Sequence, residues 1–202
     1  MDFSFTKQQE MVRKVVSEFA KNEVEPGADD RDLTGEFPED IVRKMAGLGM
    51  MGIPYPKEYG GAGGDYISYI LAVEELSKVC ASTGVILSAH TSLCCYPISK
   101  WRSEERRVGL TEPNAGTDAA TQQTVATLEG DHYVLNGSKI FITNGGKADV
   151  YVIFAMTDKS KGNHGISAFI VEKDFKGFSI GKIEDKMGIN ASSTAELVFE
   201  DC

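Results

Sequence analysis

The sequence predicts an α+β protein, with an all-helical domain over residues 1–107 followed by an antiparallel β-barrel or sandwich domain over 108–202. Three observations predict it. Up to about residue 100, apolar residues recur at the 3.6-residue spacing of helices. Beyond residue 108 they fall into short strand-like runs with no helical pattern between them. Asn136-Gly137 stands between two β-rich runs, a strong short-range signal for a hairpin turn.

The helical elements follow in order. Thr6 and Gln9 have the spacing of a capping box, and Met11, Val12, Val15, Val16 and Phe19 then mark one face until Pro26-Gly27 ends the run. Pro38 suits the first turn of a second helix, with Ile41, Val42, Met45 and Leu48 on one face and Gly49 and Gly52 beyond it. Residues 54–64, rich in Pro and Gly, read as an irregular loop. Asp65 suits the N-cap of a third helix, in which Ile67, Ile70, Leu71, Glu74, Leu76 and Val79 follow. Val85 to about Ile98 has little polar face and reads as a buried helix. The β-rich runs on either side of Asn136-Gly137 within Tyr133 to Thr143, and then Val150 to Met156, Gly165 to Glu172, Phe178 to Ile180 and Glu196 to Glu200, read as strands.

Composition excludes several classes of function. The net charge is −9, and residues 1–108 hold 13 Lys/Arg against 17 Asp/Glu while 109–202 hold 8 against 13. Neither half offers a basic stripe for a phosphate backbone, so no nucleic-acid partner is expected. No apolar run reaches the roughly 18 residues of a membrane span, and the N-terminus lacks the basic and apolar regions of a signal peptide. Cys80, Cys94, Cys95 and Cys202 make no CxxC pair, and His90, His132 and His164 have no partner at a metal-ligand interval. No metal site is expected, and reduced thiols suggest a cytoplasmic location.

Familiar catalytic motifs are absent: there is no GxxxxGK[ST], no HExxH and no GxSxG. The glycines of 60–64 do not follow a strand, and Tyr66 stands where a dinucleotide fingerprint needs glycine. Two stretches stand out on physical grounds, each of which, taken by itself, also reads simply as a strand end and its turn. In Gly109-Leu-Thr-Glu-Pro-Asn-Ala-Gly-Thr-Asp118, a short strand runs into a turn of small and hydroxyl residues, whose backbone N–H groups can meet a polar heterocycle or a pyrophosphate. In Lys139-Ile-Phe-Ile-Thr-Asn-Gly-Gly146, Phe141 and Thr143 are two apart and so share a strand face. Phe141 can cover a planar ring while Thr143 donates a hydrogen bond to it.

Together these stretches resemble the acyl-CoA dehydrogenase family. The first is similar to its first signature, and Phe141-Ile-Thr-Asn144 to its second flavin-contacting segment. Tyr59-Gly-Gly, Ser68-Tyr-Ile-Leu-Ala-Val-Glu-Glu-Leu76, Asn136-Gly-Ser-Lys-Ile-Phe-Ile-Thr-Asn-Gly-Gly146, Phe154 to Gly165 and Lys186-Met-Gly188 extend the likeness to bacterial short-chain, butyryl-CoA enzymes over almost the whole chain.

The resemblance implies an FAD-dependent oxidoreductase of fatty acid metabolism that α,β-dehydrogenates short-chain acyl-CoA thioesters, with electron-transferring flavoprotein as partner and a homo-oligomer as the assembled form. Leu110 and Thr111 then fall where backbone and hydroxyl groups meet the flavin ring system. Thr117 falls at the flavin pyrophosphate and the substrate's CoA moiety, and Phe141, Ile142 and Thr143 lie along the ring, with the Thr143 hydroxyl near N5. In such enzymes a glutamate removes the α-proton while hydride leaves for the flavin. No carboxylate within 1–202 matches that glutamate, so no catalytic residue is assigned, and Glu112 belongs to the signature's turn.

Two departures from the family pattern stand out. The second helical domain expected after the β domain does not follow before Cys202, and Trp101 to Val108 replaces a full helix and loop, as an internal deletion would. A weak, non-catalytic flavin-binding fragment and an acyl-CoA oxidase-like enzyme are the alternative expectations.

Overall fold

A computed structural model describes residues 4–100 and 110–202. The expected domain boundary at 107/108 and the junction at 102–108 lie outside the described residues. The chain forms two compact units, one of residues 1–91 with 186–192, the other of 92–185 with 193–202.

The helical unit opens with α1 (Lys7–Phe19), whose capping box is complete: the Thr6 hydroxyl accepts from the Gln9 N–H at 3.2 Å and Gln9 Oε1 accepts from the Thr6 N–H at 2.9 Å. The helix runs on through a π-helical turn, Ala20–Val24. A short helix follows that no apolar period predicts, α2 (Ala28–Thr34). Its Arg31 guanidinium donates to the carbonyls of Val24 and of Pro26, capping the end of the preceding helix.

The helix α3 (Glu39–Gly47) begins at Pro38, and α4 (Tyr66–Val79) begins at Asp65, whose Oδ1 accepts from the Ser68 N–H at 2.7 Å. Asp65 Oδ2 also accepts from Gln9 Nε2 at 2.7 Å, so the first turns of α1 and α4 are joined. In α4 the buried positions are Ser68, Tyr69, Leu71, Ala72, Glu75 and Leu76, while Ile67 and Ile70 are more than half exposed. Glu75 is held by Arg13 Nε at 2.8 Å and Lys78 Nζ at 2.7 Å. The helix expected over 85–98 starts earlier, as α5 (Ala81–Ser88), and changes to a π-helical stretch, Ala89–Cys95, before α6 (Tyr96–Lys100); the burial expected along it holds at Ile86 and Leu87 but not at Leu93 and Ile98, which are exposed. Val16, Phe19, Val24, Met45, Leu76 and Leu87 form the core, each worth about 1.5–3 kcal/mol when fully buried.

The second unit takes in α6 and is built on a six-stranded sheet: β1 (Val125–Glu129), β2 (His132–Thr143), β3 (Val150–Met156), β4 (Ile166–Glu172), β5 (Phe178–Ile183) and β6 (Thr194–Phe199), in the order β4-β3-β1-β2-β6-β5. The expected order of a helical part followed by a largely antiparallel β domain holds, with two adjustments to the barrel alternative. The sheet is open, with β4 and β5 at its edges, and β1 pairs with β3 in parallel at Val125 and Met156. All other pairings are antiparallel. Its core gathers Ala126, Leu135, Tyr151, Ile153, Ala155, Val171, Leu197 and Phe199.

The hairpin expected at Asn136-Gly137 is not there. The turn lies between Glu129 and His132, which pair across it, with Gly130 at a φ of 66° in the first central position. Asn136 and Gly137 instead lie inside β2, at the point where its ladder passes from β1 (through Asn136) to β6 (from Gly137). A Cβ on Gly137 would come within 2.7 Å of the Thr124 Cα and Oγ1, and the Asn136 side chain bonds Asp201 on the far strand's extension. The glycine serves close backbone approach, a second use of the same residue type.

Candidate functional site

The site is built on β2 and on the segment 110–118, both within the sheet unit. That segment is pinned at its start. The Thr111 carbonyl accepts the Ile140 N–H at 2.9 Å, and Lys139 Nζ reaches the Leu110 carbonyl at 3.4 Å. Glu112 and Ala115 then exchange backbone hydrogen bonds at 3.0 and 3.2 Å, closing a turn over Pro113-Asn114. Asp118 caps the following turn through the Ala120 N–H at 3.2 Å. Thr117 is exposed on this stretch, and among the described residues no bond ties it to β2.

Beneath the turn lies a buried ion pair. Lys139 Nζ stands 2.7 Å from Glu112 Oε1, with side-chain exposures of 0% and 4%. The carboxylate also accepts the backbone N–H groups of Gln123 and, at 3.0 Å, of Thr124, while the ammonium donates to Gln122 Oε1 at 3.1 Å. Burial opposes both charges. It holds Lys139 below the ordinary lysine value despite the help of Glu112. For Glu112 the bonds from Lys139, Gln123 and Thr124 outweigh burial, and its carboxyl stays below the usual carboxylate range. A carboxylate so held is a poor proton acceptor.

Phe141, Ile142 and Thr143 form the end of β2, where the expectation of simple alternation needs revision. The register against β6 slips between Lys139 and Ile142, so β2 carries one extra residue there. Phe141 occupies the left-handed region, at a φ of 58°, and the residue is 59% exposed. A bulky residue in that conformation costs about 1–2 kcal/mol, and such strain concentrates at functional sites. The register of β5 against β6 slips at the same level, between Ile180 and Ile183. Past Thr143 the chain turns over 144–148, and the buried Tyr151 hydroxyl donates to the carbonyls of Gly145 and Ala148, both at 2.8 Å. Burial, with Asp149 nearby, pushes that phenol up to about 12.

The structure therefore brings Leu110 and Thr111 beside the strand that carries Phe141, Ile142 and Thr143. The donor set suits a planar, hydrogen-bonding heterocycle. An exposed aromatic ring lies two residues from a hydroxyl, and neither Thr143 nor Thr117 gives its hydroxyl to another described residue. Sequence reasoning assigned no role to Lys139, Gln122 or Tyr151. A signal existed for Lys139: the strand period puts it on the face of the buried Leu135, where a charge requires a partner. Among the described residues no group of three or more His, Cys, Asp or Glu can hold a metal ion, and no helix is long and apolar enough to cross a membrane.

This fold, with the segments 110–118 and 139–146 laid together on one sheet, defines a class, and comparison with known proteins gives the same class. Residues 6–113 match the acyl-CoA dehydrogenase N-terminal domain and 108–202 the acyl-CoA dehydrogenase middle domain. The chain belongs to the acyl-CoA dehydrogenase family, a family of oxidoreductases. It is 65% identical to the short-chain specific acyl-CoA dehydrogenase of Clostridium acetobutylicum, covering all of this chain and 57% of that protein. Butyryl-CoA dehydrogenase from Megasphaera elsdenii superposes with a TM-score of 0.94 at 48% identity, again over 100% of this chain and 57% of the other. A chain from a study of the electron transferring flavoprotein of Acidaminococcus fermentans gives a TM-score of 0.96 at 53% identity, with the same coverages.

The chain thus spans a little over half the length of the relatives it matches. The alignment with the Clostridium protein runs over 216 positions, more than the 202 residues here, so that relative carries residues without a counterpart in this chain.

Proposed function

We propose that this chain supplies the flavin-binding part of an FAD-dependent enzyme that α,β-dehydrogenates short-chain acyl-CoA thioesters of the butyryl-CoA type. The observation that carries it is the bond from the Ile140 N–H to the Thr111 carbonyl, which lays the two family segments side by side. When bound, FAD supplies the redox chemistry by accepting hydride from the thioester's β-carbon. The protein's share is positioning. Leu110 and Thr111 meet the ring system through backbone and hydroxyl, Thr117 meets the pyrophosphate and the CoA moiety, Phe141 and Ile142 pack along the ring, and the Thr143 hydroxyl donates toward it. No carboxylate of these 202 residues is assigned as base. The proposal extends to a domain boundary near 107/108, electron-transferring flavoprotein as electron acceptor, a homo-oligomer and a cytoplasmic location.

The test is a titration of purified protein with FAD, followed by flavin fluorescence, for the parent and for Thr143→Val. One neutral hydrogen bond is worth about 0.5–1.5 kcal/mol, so the variant should bind FAD about two- to tenfold more weakly. Addition of butyryl-CoA should perturb the bound flavin's absorbance more than a long-chain thioester does. Equal affinity in parent and variant overturns the role of Thr143, and the absence of saturable binding in the parent overturns the flavin reading.

A further inference from the structure

The Glu112–Lys139 ion pair has a use that stability does not explain. A buried ion pair is seldom more stabilising than an apolar pair of the same shape, because desolvating both charges cancels most of their attraction. What such a pair does well is select one register, since any slip leaves a charge buried without its partner. Here the five residues it joins belong to three stretches of chain. Glu112 sits in the first family segment, Lys139 in the second, and Gln122, Gln123 and Thr124 lead into β1. The pair lies directly beneath the residues assigned to the flavin: Leu110 and Thr111 precede Glu112, the Leu110 carbonyl accepts from Lys139, and the Phe141 bulge begins two residues beyond Lys139. Thr124 also packs against Gly137, where β2 changes partners, so the same cluster sets where the ladder passes to β6.

We infer that Glu112 and Lys139 are positioning residues, an internal charge clamp that sets the register of segment 110–118 on β2 and thereby preforms the flavin-binding surface. The inference rests on the flavin reading above and deepens it. Neither group touches the cofactor; both act through the Leu110 and Thr111 backbone and through the bulge at Phe141. A clamp of this kind matters more for binding than for folding, because a site displaced by a fraction of an ångström loses affinity while the core beneath it remains packed.

The experiment measures FAD affinity and melting temperature in the parent protein, in Glu112→Gln, in Lys139→Met and in the double variant Glu112→Gln/Lys139→Met. Each single variant leaves one buried charge without its partner, so both properties should fall. The double variant removes the charges together. Its melting temperature should return to within about 3 °C of the parent, while its FAD affinity stays at least about tenfold weaker. Recovery of parental affinity in the double variant overturns the inference, as does an affinity that simply tracks melting temperature across the set, since either shows a pair that only supports folding. If the parent shows no saturable binding, the flavin reading itself fails, which separates the two failures. A measurement on the parent alone covers the case of a variant that does not fold. Amide exchange at Ile140, the donor to Thr111, should slow when FAD is added, and exchange indifferent to FAD counts against the clamp.

Discussion

Individual residues here are often chosen for what they must avoid. Gly137 is the plainest case. It sits in the interior of a strand, where glycine is ordinarily a weakness, because a side chain at that point would occupy the space of Thr124. Its φ of 141° adds a conformation that other residues rarely adopt. Gly137→Ala should therefore destabilise the sheet unit by about 1–3 kcal/mol, the usual cost of overpacking, with the largest rise in amide exchange at Met156, which donates to the Thr124 carbonyl. An unchanged unfolding midpoint in urea counts against the steric account. Phe141 is the converse, a bulky residue in the left-handed region that glycine would occupy more easily. Its exposed ring gives a reason for bearing that strain only if something flat lies against it.

At the scale of elements, legibility followed local signals. The capping box at Thr6 and the cap at Asp65 were readable because a cap is written within four residues. The helix over 28–34 was not readable: it buries no residue, and Leu33 is 87% exposed, so it leaves no apolar period in the sequence. Its place is secured by Arg31 on the preceding carbonyls. Asp65 does more than cap α4, since its second oxygen ties α1. Asp65→Ala should cost about 1 kcal/mol for the cap alone and somewhat more with the Gln9 bond lost, whereas Asp65→Asn should keep most of it. Urea unfolding of both variants decides the matter, and equal stability of parent and alanine variant refutes the cap. The misplaced hairpin has a similar lesson. Asn136-Gly137 and Gly130-Asp131 both carry turn chemistry, and the choice between them was made by which strands had to meet.

At the scale of the whole molecule, the chain leaves the sheet unit after residue 185, contributes 186–192 to the helical unit, and returns at 193. Asp32 accepts the Asn190 N–H at 2.9 Å across a separation of 158 residues. That bond anchors the returning loop on a helix with no buried face of its own. Asp32→Ala should cost about 1.5–3 kcal/mol for a hydrogen bond to a charged acceptor and speed amide exchange at Asn190, while Asp32→Asn preserves the acceptor. Exchange at Asn190 that is unmoved by the alanine variant excludes the anchor.

By itself the sequence determined the partition into helices and then strands, the caps, most strand positions and the two segments that mark the family. All of these are encoded in windows of a few residues, where periodicity, propensity and turn chemistry act directly. Only the tertiary structure decided that the sheet is open with one parallel pair, that β2 runs straight through Asn136-Gly137, and that Glu112 meets Lys139 in the interior, 27 residues away. Those outcomes depend on which distant stretches close on one another. A buried charge announces that it needs a partner, but the partner's identity is settled only when the chain has folded around both.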